Sequence, residues 1–393
     1  YKRQVKGIGS WSLTGHSAEE LSKKFTEMQD DSEVTAGFMW QKTTRESKKY
    51  QLRGEILSFI PVDKNVEIML VTITNTGRMA QTVTPTAAIP LYGRSADNIR
   101  DHRHVTSLLH RIETTDTGVL VTPTLSFDER GHQVNHMTYY CVGWSGNGEK
   151  PVDFYPTAED FVGEGGNFER PYAIVKNAEG VKAGTKIEGL EAVGGLHFSE
   201  ITLEPEEECS YLIFTGITED IQEIRNLSKT YTTREKVLEE LEKTKAYWQE
   251  KVNVAYHTGD SDFNQFMHWV SFQPILRRIY GCSFLPHHDY GKGGRGWRDL
   301  WQDCLALLIM NPDGVRQMLL DNFAGVRIDG SNATIIGSKQ GEFVADRNNI
   351  TRVWMDHGVW PMITTKFYID QTGDLELLEK EAAYFKDLSL IHI

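Results

Sequence analysis

Cysteine is scarce in this 393-residue chain and never clustered: Cys141, Cys209, Cys282 and Cys304 lie far apart, with no C-x-x-C pair. That spacing speaks against a disulfide framework and a cysteine-built zinc site, and it fits a reducing cytoplasm, the expected location. Apolar runs of about 18 residues are also missing, so no membrane span is expected. Basic charge is the third shortage. With 42 Lys and Arg against 55 Asp and Glu the formal charge is −13, so neither nucleic acid nor an anionic membrane is an expected partner. The opening stretch, YKRQVKGIGSWSLTGHSAEE, has a basic beginning but no apolar segment behind it, so it does not read as a signal peptide. It lacks Met as well, and a start further upstream is expected.

What is present divides into two grammars. The chain is too long for one ordinary domain, and 39% apolar with 25% charged residues is a globular composition. Residues 1 to about 225 read as β. EIMLVTITNTG (67–77), AQTVTPTAAIPLYG, TGVLVTPTLSFDERG, MTYYCVGWSGNG and CSYLIFTGIT are strand-like runs bounded by Gly, Pro, Asn or Asp. Strands in series without helices between them predict a large antiparallel sandwich, with Tyr139, Tyr140, Trp144 and Phe161 in its packing. In TYTTREKVLEELEKTKAYWQEKV, Thr232 stands three residues before Glu235, a capping-box spacing. Val237, Leu238, Leu241 and Trp248 then mark one face of a linker helix of about five turns. Helical segments follow in SDFNQFMHWVSFQPILRRIY, RDLWQDCLALLIM, DGVRQMLLDNFAG, GVWPMITTKFYIDQTG and LELLEKEAAYFKD, so Phe263 to Asp387 reads as nearly all α. The expected organisation is a sandwich over 1–228, a helical linker over 229–258 and a helical domain over 259–387.

YGKGGRGWRDLWQDCLALL (290–308) carries the densest chemistry. Gly291, Gly293 and Gly296 match the dinucleotide-binding glycine pattern, but CSFLPHHDY before them is a poor strand and no βαβ unit surrounds it. There is no Gly-Lys-Ser/Thr ending, which excludes the phosphate loop of nucleotide hydrolases. His287, His288 and Asp289 are consecutive and cannot easily converge on one ion, so no metal is expected. A helix starting near Arg298 places Asp299 and Asp303 four residues apart on one face, with Gln302 beside them. Like charges at that spacing cost a helix a few tenths of a kcal/mol, so another demand must hold them there. Carboxylates accept hydrogen bonds from vicinal hydroxyls, a guanidinium donates two in parallel, and the indoles of Trp297 and Trp301 suit the apolar face of a pyranose. Leu300, Cys304, Leu307 and Leu308 would bury the opposite face. The bland alternative is a surface helix with an Arg-Asp pair. RNNITRVWMDHGVW (347–360) gathers Arg347, Arg352, Trp354, Asp356, His357 and Trp360; its alternative is a loop that packs two tryptophans. RIDGSNATIIGSKQGEF (327–343) reads as a long polar loop.

Gly296-x-Arg298-Asp299-x-x-Gln302-Asp303 resembles the G-[FYW]-R-D-x-x-Q-D segment of glycoside hydrolase family 94, the inverting disaccharide phosphorylases, which include cellobiose, cellodextrin, chitobiose and 1,2-β-oligoglucan phosphorylases. MDHGVWPMITTKFYIDQTGD (355–374), FVGEGGNFERPYAI and YQLRGEILSFIPVDKNVEIMLVTITN are similar to further family segments, so the likeness covers essentially the whole chain. It implies a multidomain β + α architecture: a galactose-mutarotase-like antiparallel β supersandwich, a helical linker and the first part of an (α/α)6 barrel. It further implies that Arg298 and Asp303 hold the sugar next to the scissile bond, supported by Asp299 and Gln302, with Trp297, Asp356 and Trp360 in the same site. Asp356 matches the first acidic position of a D-D-x-x-W segment, and His357 departs from the second. Arg295, His288, Arg347 and Arg352 are the phosphate-binding candidates. The implied reaction is inverting phosphorolysis of a β-glucan oligosaccharide, with phosphate as co-substrate and no other cofactor. Trp297 in RGWRDLWQD inclines the reading to the 1,2-β-oligoglucan branch, and the full-length protein is expected to be a homodimer. An inverting (α/α)6 hydrolase and a non-catalytic carbohydrate-binding protein are the alternatives. The general-acid Asp is expected beyond Ile393, so this chain is expected to be an N-terminal piece that turns nothing over alone. LSLIHI (388–393) is what CTG-TCT-CTT-ATA-CAC-ATC, a transposon end, encodes, and is expected to be an assembly artefact.

Overall fold

The computed structural model describes residues 2–5, 9–93, 106–128, 131–280, 295–333, 335–336, 343–344 and 356–385. They form two compact units, 1–247 and 248–393.

The first unit is built from antiparallel sheets, as its strand grammar predicts. Among the described residues one sheet has nine strands, with Asp31–Gly37, Trp40–Ser47, Leu52–Phe59, Val66–Asn75 and Glu208–Thr218 successive neighbours from one edge and Thr138–Ser145 beyond them. A second, six-stranded sheet is centred on Gln81–Leu91. The core between them takes Met69, Val71, Ile73, Cys141 and Ile213 from the first sheet and Val83, Ala87, Phe154, Leu196 and Leu203 from the second side. Ile68, Leu70, Trp144, Leu212 and Phe214 point the other way, onto Ile224, Leu227, Val237 and Leu241 of the helices Ile221–Thr230 and Arg234–Lys251. Both faces of the nine-stranded sheet are therefore covered, which is why VEIMLVTITN is almost continuously apolar. The Trp144 indole N–H donates to the Tyr231 carbonyl at 3.0 Å and its ring stacks on Phe214, centroids 4.7 Å apart. Tyr140, Trp144 and Phe161 are buried in the packing, as expected. The sheets approach so closely at Gly194 that a Cβ there would lie 2.2 Å from the Cys141 Cβ. Burial at that spot pushes the Cys141 thiol up to about 12.

Two details depart from the sequence reading. Helix Ile221–Thr230, capped by the Asp220 carboxylate on the Gln222 N–H, lies largely within the stretch assigned to the sandwich. The following helix starts at Arg234, and it is Thr233 that bonds to Glu235, so the Thr232–Glu235 capping box does not form as expected. The compact units divide between Tyr247 and Trp248, inside this helix.

The second unit is helical, with Ser261–Tyr280, Trp297–Met310, Val315–Phe323 and Val359–Thr372 matching the expected segments. Trp297–Met310 touches each of the other three. Two expectations fail here. The nearly all-α reading misses a three-stranded antiparallel sheet of Arg295–Gly296, Ile335–Ile336 and Phe343–Val344, because two-residue strands carry no periodicity. LELLEKEAAYFKD forms only a short 3-10 helix, Leu375–Glu379, with no regular structure over 380–385; Asp374 turns its carboxylate to Arg316 instead of capping. Among the described residues no helix is long and apolar enough to cross a membrane.

Candidate functional site

The site is organised by how Trp297–Met310 is anchored. Its entry is fixed by Arg295–Gly296 pairing with Ile335–Ile336, and Gly296 occupies the N-cap without a side-chain cap. Trp297, 1% exposed, donates its indole N–H to the His357 carbonyl at 3.0 Å. Trp301 packs edge-on against Trp297 and Phe323, centroids 5.6 and 5.0 Å away. Thr364 donates its hydroxyl to the Trp301 carbonyl at 3.0 Å, and Gln371 its amide to the Leu308 carbonyl at 2.6 Å. Side chains of Val359–Thr372 thus bind the backbone of this helix at two levels, a rigid support for whatever its first turns present.

These contacts correct the sequence reading of the indoles. Trp297 and Trp301 turn inward and present no ring face for a pyranose. Large apolar rings at positions 1 and 5 of the helix share a face with Leu300, Cys304, Leu308 and the core, and burying them outweighs presenting them. Of the described indoles beside this helix start, Trp360 lies nearer the surface and is half-buried.

Arg298, Asp356 and Trp360 come together although 58 residues separate the first two. The Arg298 Nη1 donates to Asp356 Oδ2 at 3.1 Å, and the Trp360 Nε1 donates to the same oxygen at 3.2 Å. Arg298 foremost, then the indole, holds the Asp356 carboxyl below its usual range. Oδ1 of Asp356 and the remaining guanidinium donors are the groups a hydroxylated ligand would meet. His357 is buried; its Nδ1 lies 3.1 Å from the Asn332 amide nitrogen, which donates, so the ring proton sits on Nε2. Burial pushes His357 below its ordinary value, opposed by the neighbouring Asp356. A neutral imidazole that orders Asn332 therefore stands where the resemblance implies a second acid.

Asp299 and Gln302 are half-buried on the helix, one turn apart. Asp303, expected beside Asp299 on the polar face, lies on the inner side, 3% exposed. Arg277 of the Ser261–Tyr280 helix explains its place: Nε sits 2.8 and 2.9 Å from the two carboxylate oxygens and Nη2 2.5 Å from Oδ1. Burial pushes the Asp303 carboxyl up to about 6; Arg277 pulls it down by less, and the Asp299 charge adds to the rise. Arg277 was not singled out by the sequence reading, although a double arginine inside the apolar run PILRRIY is the signal for a buried charge partner. Of the phosphate candidates, Arg295 lies in the short strand by its backbone, while His288, Arg347 and Arg352 fall outside the described residues, as does Trp354. Among the described residues no group of three or more His, Cys, Asp or Glu could hold a metal ion.

Two family models cover nearly the whole chain: the Glycosyl hydrolase 94 supersandwich domain matches residues 3–234, and the Glycosyl hydrolase 94 superfamily catalytic domain matches 247–389. The chain belongs to glycoside hydrolase family 94. This member is 23% identical over 357 residues to a 3-O-β-D-glucopyranosyl-β-D-glucuronide phosphorylase of Paenibacillus borealis, with 86% of this chain and 41% of that protein covered. It is 24% identical over 250 residues to the cyclic β-(1,2)-glucan synthase NdvB of Rhizobium meliloti (strain 1021), covering 62% of this chain and 8% of the relative. The family 94 chain thus spans less than half the length of either relative. Among solved structures, a bacterial glucoamylase complexed with acarbose covers 87% of this chain and 47% of its own at 12% identity, with a TM-score of 0.48. The matched stretches are the family's antiparallel supersandwich followed by its helical catalytic domain.

Proposed function

We propose that this chain supplies the sugar-holding part of an enzyme that phosphorolyses β-linked gluco-oligosaccharides with inversion, releasing α-glucose 1-phosphate and a shortened sugar. The observation that carries the reading is the convergence of Arg298, Asp356 and Trp360 at the anchored start of Trp297–Met310, on the motif that the family's catalytic domain matches. In the reaction a carboxylic acid protonates the glycosidic oxygen as the C1–O bond breaks, and a phosphate oxygen bonds C1 from the opposite face. Phosphate stands in for the base-activated water of an inverting hydrolase, so one catalytic carboxyl suffices. Arg298 and Asp356 would bind sugar hydroxyls, with the Trp360 ring beside them. Asp303, expected from the resemblance to hold the sugar, is buried against Arg277 and would brace the helix that carries Arg298 rather than meet a hydroxyl. Neither Asp299 nor Asp356 is assigned as the general acid, and phosphate is the one co-substrate assigned.

The relatives' printed names support the substrate class, one acting on a β-glucopyranosyl glucuronide and the other making a β-(1,2)-glucan. The test is an assay of the enzyme that carries this chain on β-1,2-, β-1,3- and β-1,4-linked glucose oligomers. Glucose 1-phosphate formed only when phosphate is present supports the reading, and Arg298→Ala should lower kcat/KM by about tenfold or more. Free glucose released at the same rate without phosphate would make the enzyme a hydrolase and sink it.

A further inference from the structure

The sandwich unit contains a cleft of about 880 Å³ that none of the chemistry above uses. Its size falls within the range of small-molecule sites, about 300–1,000 Å³. One wall is a single face of the nine-stranded sheet. Direct pairing of Gln41 with Ser58 and of Ser58 with Met69 sets these three in one row, and the pair Glu67 and Thr215 forms the next, two residues along. The facing wall comes from the end of Gln81–Leu91 and from the segment 158–169, with Phe161 at its base. Tyr92, 49% exposed, lines the rim. The His16 Nε2 and Glu169 Oε1 meet at 3.0 Å on the same wall.

Glu67 is the group that asks for an explanation. It is half-buried on a sheet face whose other lining residues, Gln41, Thr43, Ile56, Ser58, Met69 and Thr215, are all uncharged. Burial pushes its carboxyl up, and the groups that oppose this are hydroxyls, those of Thr215 (3.5 Å from Oε2) and Ser58. Among the described residues no lysine, arginine or histidine pairs with it. A carboxylate taken from water without a cation is costly, and a ligand rich in hydroxyl donors would repay that cost. Among the described residues the lining holds no lysine or arginine; Glu169 is paired with His16, and Glu191 adds a further carboxylate, which disfavours anions such as phosphates and uronates. Hydroxyl and amide groups beside apolar side chains and an exposed aromatic rim suit a neutral sugar, whose edge is polar and whose face is not.

We infer that this cleft is a second, non-catalytic saccharide site that takes a neutral oligosaccharide; that the sugar is built of glucose rests on the function proposed above. The experiment is calorimetric titration of the whole chain with β-1,2-, β-1,3- and β-1,4-linked glucose trisaccharides, in wild type, Arg298→Ala, Glu67→Ala and Tyr92→Ala. Saturable binding should persist in Arg298→Ala and weaken about tenfold when Glu67→Ala is added to it. Tyr92→Ala, at the exposed rim, should weaken it several-fold and decides the matter if Glu67→Ala fails to fold by circular dichroism. Loss of all binding in Arg298→Ala, no binding of any trisaccharide by the folded chain, or binding indifferent to the folded cleft variants would each overturn the inference. Binding lost with Arg298 alone removes this site and leaves the catalytic reading standing. Binding lost with Glu67 or Tyr92 alone confirms this site and removes Arg298 as a sugar ligand.

Discussion

Replacing Asp303 with asparagine should change how the helical unit responds to pH, and the sign of the change follows from burial. The folded carboxyl titrates at about 6 against an ordinary 3.8. A folded value above the unfolded one means that the protonated form is favoured in the fold. The stability this contributes is full below about pH 4 and is lost as pH rises through about 6. At about 1.4 kcal/mol per unit, the loss between pH 4 and 7 approaches about 3 kcal/mol. That is an upper figure, because Arg277 is 30% exposed and brings solvent to the pair. Asparagine keeps the size and one acceptor but cannot ionise, so the variant should gain on the wild type steadily from pH 4 to 7 and then stop gaining. Amide hydrogen exchange across Trp297–Met310, corrected for intrinsic rates, reads the opening free energy where the effect acts. A variant that loses ground as pH rises would mean that the Arg277 pairing outweighs burial and that Asp303 is a stabilising ion pair at neutral pH. Arg277→Gln should move the titration window to higher pH, since that guanidinium is what restrains the rise.

Further outcomes follow from single contacts. Trp297→Phe removes a buried donor from the His357 carbonyl and should cost about 1–3 kcal/mol more in denaturant titration than Trp301→Phe, whose Nε1 has no partner among the described residues; equal costs would refute the distinction. Gly194→Ala drives a Cβ to within 2.2 Å of Cys141 across the two sheets and should cost about 3 kcal/mol, seen as a lowered melting temperature. Gly259→Ala, where nothing lies within 4 Å, should leave the melt unchanged. Arg298→Ala breaks an ion pair that is exposed on both sides, so the melt should stay put while saccharide stoichiometry in calorimetry falls by one; a large drop in melting temperature would recast Arg298 as structural.

Much of this molecule is legible along the chain. The runs 66–75, 81–91, 138–145 and 208–218 are apolar and β-branched over strand lengths, and turn residues bound them, so local pattern and tertiary role agree. The helices Ser261–Tyr280, Trp297–Met310, Val315–Phe323 and Val359–Thr372 are equally plain from their periodicity, and G-x-R-D-x-x-Q-D marks the start of the helix that carries Arg298. The two-residue strands and the failed helix after Asp374 were not legible, since pairing and a competing ion pair decide them.

What the amino-acid order settled by itself is therefore the succession of β and α, the position of the Arg298–Asp303 segment and the residue types in it. Only the tertiary structure decided which of those side chains face outward and which are buried. Periodicity reports neighbours a few residues away, whereas the partners that count are distant: Asp303 meets Arg277 across 26 residues, Arg298 meets Asp356 across 58, and Glu67 meets Thr215 across 148. The same order of residues could have left Trp297 on the surface and Asp303 in water. The free energy of burying two indoles, and the presence of one guanidinium on the adjoining helix to accept the carboxylate that turns inward with them, placed them as they are.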